Sequence, residues 1–171
     1  MSSDNATFNT AFFPQHVALV SVGENLLPMG YWTVISKEPF RLLLCMGVGN
    51  HSLGLLRQYQ EAALHLMPWR DRERVARAGY LSGRQVDKAA QLGFVLRPAA
   101  RLTHTRLVEG AVAAFELRVW QELPGLSTEF VLFVLDVVAT HGARTPAGYD
   151  PILYLSRQDF ATLGEQWRLS R

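Results

Sequence analysis

Cysteine is nearly missing from this sequence: Cys45 stands alone in 171 residues. No intrachain disulfide can form, which fits a reducing compartment such as the cytoplasm. Cys45 lies in the apolar run Leu42, Leu43, Leu44, Cys45, Met46 and reads as a small buried hydrophobe rather than a reactive thiol. Charge is also sparse, at 19% of residues with a net of +2. That is too little for a nucleic-acid or membrane-binding surface. The most basic stretch, residues 70–77, carries Asp71 and Glu73 among its arginines and reads as a solvated helix face. No apolar run approaches the about 20 residues of a membrane span. The longest, residues 130–135, reads as a buried strand. Residues 1–10 are polar, without the basic and then apolar order of a signal peptide. Glycine-rich dinucleotide fingerprints, phosphate-binding P-loops and nucleophile elbows are absent. The five histidines (His16, His51, His65, His104, His141) show no metal-ligand spacing with one another or with Cys45.

What is present is apolar sequence, 49% of the chain, enough to bury a sizeable core in one domain spanning residues 1–171. Strand-like runs dominate: residues 16–22, 31–36, 41–48, 63–67, 111–120, 129–140 and 152–155. In the run 111–120, Ala113, Phe115, Leu117 and Val119 share one face, and Glu116 and Arg118 take the other. Pro124 and Gly125 mark a turn before the next run, so a long antiparallel hairpin is predicted.

Helices are expected in the middle of the chain. Ser52 can cap one through about residue 60, with Leu53, Leu56 and Tyr59 on one face. Pro68 can open a second through about residue 78. Ser82 or Gly83 starts a third that stops at Gly93. Ser156 with Asp159 resembles a capping pair before Phe160 and Leu163. Strands, then helices, then strands argue against a doubly wound parallel sheet. They predict a mainly β, antiparallel barrel with inserted helices, whose uncovered apolar surface a second copy would bury.

One junction carries possible chemistry. An apolar strand ends in Gly47, Val48, Gly49, and then Asn50, His51 and Ser52 open a helix. Glycines let a ligand approach the backbone, and a helix start presents free N–H groups to an anion. The same pattern also describes an ordinary capped helix after a turn.

The order of segments resembles the flavin reductase-like family, especially its flavoredoxin-type members. The residues that carry the resemblance begin with Pro14 through Val22 and continue with Met29, Gly30, Tyr31, Trp32, Thr33, Val34, Ile35 and Ser36. Pro39 through Met46 and the Asn50, His51, Ser52 turn come next, followed by Ala63, Leu64, His65, Leu66, Met67 and Pro68. A stretch of Ser82, Gly83, Arg84, Gln85, Val86, Asp87 and Lys88, the long hairpin, and the closing Asp150, Pro151, Ile152, Leu153 and Tyr154 complete it. The resemblance spans about residues 12–164. It implies a Greek-key split β-barrel that binds FMN at a homodimer interface. By resemblance, Met29, Gly30, Tyr31, Trp32 and Thr33 lie along the isoalloxazine ring. Asn50, His51 and Ser52 hold the ribityl-phosphate end, and Lys88 adds positive charge. The implied activity is NAD(P)H-dependent reduction of flavin by hydride transfer. The flavin N5 carries the chemistry, and the protein supplies orientation and electrostatics rather than catalytic side chains. Two other readings stay open: an FMN-binding electron carrier reduced by a redox partner protein, and a non-flavin barrel that uses its cleft for another ligand or for protein binding.

Overall fold

The computed structural model describes residues 8–142, 149–156 and 158–165. Its centre is a seven-stranded antiparallel sheet in the order β3-β2-β6-β9-β10-β5-β4, curled into a half-barrel. In chain order the strands of this sheet are β2 (Ala18–Val22), β3 (Asn25–Met29), β4 (Trp32–Lys37), β5 (Phe40–Gly47), β6 (Glu61–Leu66), β9 (Ala113–Leu123) and β10 (Phe130–Gly142). A small sheet joins β1 (Gln15–His16), β11 (Leu153–Tyr154) and β12 (Phe160–Ala161). A further ribbon pairs β7 (Leu96–Pro98) with β8 (Arg106–Val108).

The expected hairpin is β9 and β10, paired from Leu132 opposite Leu123 to Gly142 opposite Ala113. The predicted run 16–22 divides at Val17, whose N–H leaves the strand to donate to the Ile152 carbonyl at 2.8 Å. β3, β7 and β8 were not anticipated: Asn25 and Pro28 disguise β3, and the ribbon strands have three residues each.

β2 explains how the molecule holds two cores. All five of its residues are buried. Ala18, Val20 and Val22 face the inner core with Leu44, Met46, Leu64, Leu117 and Phe133. Leu19 and the neighbouring Val17 face an outer core with Leu26, Met67, Val75 and Phe94. Period-two alternation thus serves both sides of one strand. Helix α1 (His51–Tyr59) adds Leu53 and Leu56 to the inner core. Helices α2 (Arg72–Ala78) and α3 (Lys88–Leu92) cover the outer face beside β3.

The helix boundaries differ from the expectations. α1 has Asn50, not Ser52, at its N-cap, and ends at Gln60 in the left-handed region with φ 57°. A 3₁₀ turn at Trp69–Asp71 precedes α2. α3 begins only at Lys88, because Asp87 caps it by accepting the Ala90 N–H at 3.0 Å. Its stop at Gly93, with φ 69°, agrees with the sequence. Ser156 does bond Asp159, but the residues that follow form β12 rather than a helix. Among the described residues, no helix is long and apolar enough to cross a membrane, and no metal-binding cluster exists.

Candidate functional site: a two-lobed cleft beside the β3–β4 bend

β3 ends at Met29, the chain bends at Gly30 and Tyr31, and β4 starts at Trp32. Beside this bend lies an apolar lobe of about 480 Å³. Its walls include Met29, Gly30 and Tyr31 together with Cys45 from β5, Phe130 from β10 and Tyr154 from β11. Aromatic rings meet edge to face around it: Tyr31 with Phe130 at 5.5 Å, Phe13 with Tyr154 at 5.0 Å, and Tyr154 with Phe160 at 5.6 Å between centroids. Among the described residues, no charged side chain lines this lobe. Burial pushes the Cys45 thiol and the Tyr31 phenol above their ordinary pKa values, so both stay neutral near pH 7.

A second lobe of about 370 Å³ adjoins the first, sharing Leu27, Pro28, Asn50, Gly79 and Tyr80 as walls. It is polar. Asn50, His51 and Ser52 enter it from the start of α1, and Ser82, Arg84 and Lys88 from the far side. Among the described residues, its walls hold an arginine and a lysine and no carboxylate.

Lys88 has an unusual setting. It is buried at 6% exposure, and its ammonium donates to the Leu26 and Ala78 carbonyls at 2.8 Å each. These bonds tie the end of α2 to β3 and so fix the width of the cleft. Among the described residues no carboxylate pairs with this cation. Burial pulls its pKa down. An ammonium taken out of water without a counter-charge is costly, and an anion bound in the lobe lowers that cost.

Close approach elsewhere needs glycine. A Cβ on Gly79 would sit 3.0 Å from Pro28, where α2 ends against β3. A Cβ on Gly83 would sit 2.0 Å from the side-chain oxygen of Asn25. That oxygen is buried without a hydrogen-bond partner among the described residues, while the Asn25 amide donates to the Ser52 hydroxyl at 2.7 Å. Ser52 therefore braces β3 against α1 instead of capping its own helix. The side chain of Asn50 makes no cap bond either.

Seven of the nine residues singled out in the sequence line this cleft: Met29, Gly30, Tyr31, Asn50, His51, Ser52 and Lys88. Trp32 and Thr33 do not. The Trp32 indole donates to the His16 carbonyl at 2.9 Å and packs against the inner core. Thr33 is exposed on β4 opposite Leu43. The bend at residues 30–31 is the reason, since it breaks the expected continuous strand 29–33. Sequence reasoning missed Asn25, Tyr80, Arg84 and the aromatic wall of Phe13, Phe130, Tyr154 and Phe160. Of these Arg84 and Tyr154 carried a signal, lying inside the quoted 82–88 and 150–154 stretches. The others come together from segments far apart in the chain.

Among the described residues, the cleft offers no hydrogen-bonded nucleophile and base. It can seat a flat apolar group in one lobe and an anion in the other. The profile of the flavin reductase like domain matches residues 10–164. An FMN-binding protein from Thermus thermophilus, solved with bound p-hydroxybenzaldehyde, superposes with a TM-score of 0.84 at 22% identity, covering 99% of this chain and 98% of that one. A flavoredoxin from Methanosarcina acetivorans gives 0.84 at 16% identity, over 98% and 96% of the two chains. An NADH:FAD oxidoreductase from Streptomyces globisporus gives 0.76 at 18% identity, over 90% and 88%. At such identities the likeness establishes the fold alone. None of the curated protein sequences matches the chain.

Proposed function

Because the chain belongs to the flavin reductase-like family, we propose that it binds FMN in the two-lobed cleft and reduces flavin with NAD(P)H, acting in the cytoplasm as a homodimer. The observation that carries this reading is the buried, unneutralised Lys88 lining a polar lobe that opens directly into an aromatic-walled apolar lobe. A phosphate monoester joined by a polar chain to a planar ring has that distribution of charge and polarity. Asn50, His51, Ser52 and Lys88 would hold the phosphate end, and Met29, Gly30 and Tyr31 the ring. Trp32 acts behind them by anchoring the bend to β1 through the His16 carbonyl. Bound flavin supplies the redox chemistry, while the protein binds, orients and excludes water.

One observation favours the electron-carrier reading as the second choice. Among the described residues, the walls of the apolar lobe provide no cation for a dinucleotide's diphosphate. A partner protein would then deliver the electrons.

Titration of the purified protein with FMN and with FAD, followed by visible spectra under anaerobic NADH and NADPH, tests both. We expect tighter binding of FMN and bleaching by a reduced nicotinamide. Binding of neither flavin sinks the proposal. A strong preference for FAD overturns the choice of cofactor. FMN binding without bleaching by either nucleotide selects the carrier.

A further inference from the structure

We infer that Arg84 is the second anion ligand of the polar lobe and that it selects a terminal phosphate monoester, hence FMN over FAD; this rests on the flavin reading above. Lys88 cannot do this alone. Two carbonyls hold its ammonium, so it contributes a fixed charge from below the lobe. Arg84 is different. Its side chain is exposed on the turn before α3, and it lines the same lobe. Its guanidinium makes one long bond, 3.4 Å to the Gly49 carbonyl, and no carboxylate among the described residues pairs with it.

A guanidinium held by a single weak contact keeps most of its donors available. Its planar fork matches two oxygens of a phosphate, which a lysine cannot do. Gly49 belongs to the turn that leads into α1, and Arg84 to the segment leading into α3. Their contact therefore joins two walls of the lobe. A phosphate monoester ends inside those walls and leaves the arginine free to close on it. A nucleotide extension turns the terminal phosphate into a diester with a single negative charge, so a fork that grips two oxygens of a terminal dianion gains less from it.

Affinities of FMN, riboflavin and FAD for the full chain and for Arg84→Ala and Arg84→Lys test the inference, with melting curves to verify folding. Arg84→Ala is expected to weaken FMN about tenfold to a hundredfold, the loss of a charged hydrogen bond. Riboflavin, which has no phosphate, should be unchanged, and the preference for FMN over FAD should shrink. Arg84→Lys should fall between, because it keeps the charge and loses the fork. Unchanged FMN affinity in Arg84→Ala overturns the inference. So does an equal loss for FMN and riboflavin, which would mean that Arg84 merely holds its loop. If the wild-type chain binds no flavin, the proposed function fails separately. Arg84 then stands on inorganic phosphate. Thermal stabilisation by phosphate, above that of chloride at equal ionic strength, must be present in the wild type and lost in Arg84→Ala. Its absence from the wild type, or its survival in the variant, refutes the anion site.

Discussion

His65 is fully buried, with one ring nitrogen donating to the Leu19 carbonyl at 2.9 Å and the other accepting the Val108 N–H at 3.0 Å. Both bonds require the neutral ring, so this histidine knits β2, β6 and β8 together in a single protonation state. Burial lowers its pKa from 6.5 to about 4. The unfolded chain therefore takes up a proton between pH 6.5 and about 4 that the native chain refuses. Stability is complete above pH 6.5 and falls by about 3 kcal/mol as pH drops to 4. Melting curves from pH 7 to 4 check this. His65→Gln should start less stable but show a flatter decline over the same window, and an equally steep decline would clear His65 of the effect. Ser52 behaves differently from its sequence reading. As an α1 cap it would matter only to the helix, but it accepts the Asn25 amide across 27 residues of chain. Ser52→Ala strands that partly buried donor at a cost of about 1 kcal/mol. If Ser52 also reaches a phosphate, FMN affinity falls while riboflavin affinity does not. Equal affinities for wild type and variant would leave Ser52 a brace alone. The sequence marked Ser52 as a residue with a task but not its partner, because nothing local in residues 50–60 points to Asn25.

Elements were legible where their pattern was long. β5, β9 and β10 run eight to thirteen residues and were readable, β9 from its alternation and β5 and β10 from their apolar runs. β7 and β8 have three residues each, too few for a period to show, whereas the five-residue α3 was found by its glycine stop. The alternation in β9 also concealed something: Glu116, read as facing away from the core, is completely buried. The outer face of β6 and β9 there is covered by the segment between β7 and β8, whose Leu102 and β8's Leu107 pack on Ala63. Two carboxylates fasten this cover. Glu61 accepts the backbone N–H groups of Thr103 at 3.0 Å, of Thr105 at 2.7 Å, and of His104. Glu116 accepts those of Ala100 at 2.8 Å and Arg101 at 2.6 Å, and it meets His141 at 2.6 Å. Burial opposes the charge on Glu116, yet these donors together hold its carboxyl below the usual range. Its contribution to stability is thus present above the ordinary carboxylate pKa and lost as pH falls through the depressed one. Glu61→Gln turns an amide N–H₂ toward backbone donors. It should cost about 2 kcal/mol or more and speed amide exchange at Thr103, His104 and Thr105. Unaltered exchange there would show that apolar packing alone retains the cover.

At the scale of the whole molecule the two ends of the main sheet are unequal. β3 is one edge, and α2 and α3 pack beside it. β4 is the other, and on it Val34 and Ile35 are each 48% exposed. Sequence periodicity recognised β4 as a strand but carried no information on what covers it, because cover depends on which elements arrive from elsewhere in the chain. Its pairing with β5 shifts register between Val34 and Ser36, leaving Ile35 at an irregularity. Such a bulge twists an edge away from strand-to-strand extension. A second copy should therefore pack on the exposed side chains of β4 rather than continue the sheet. A stable homodimer of this kind buries on the order of 2,000 Å² or more. Light scattering on the 19.2 kDa chain should give twice that mass at micromolar concentration. The double substitution Val34→Glu with Ile35→Glu should halve it, since two buried carboxylates per copy would meet their symmetry mates without counter-charges. The bend at Gly30 and Tyr31 leads directly into β4, so loss of the dimer should also weaken FMN. A monomeric wild type with flavin bound would place the complete site within one chain. A double variant that stays dimeric would move the interface away from β4.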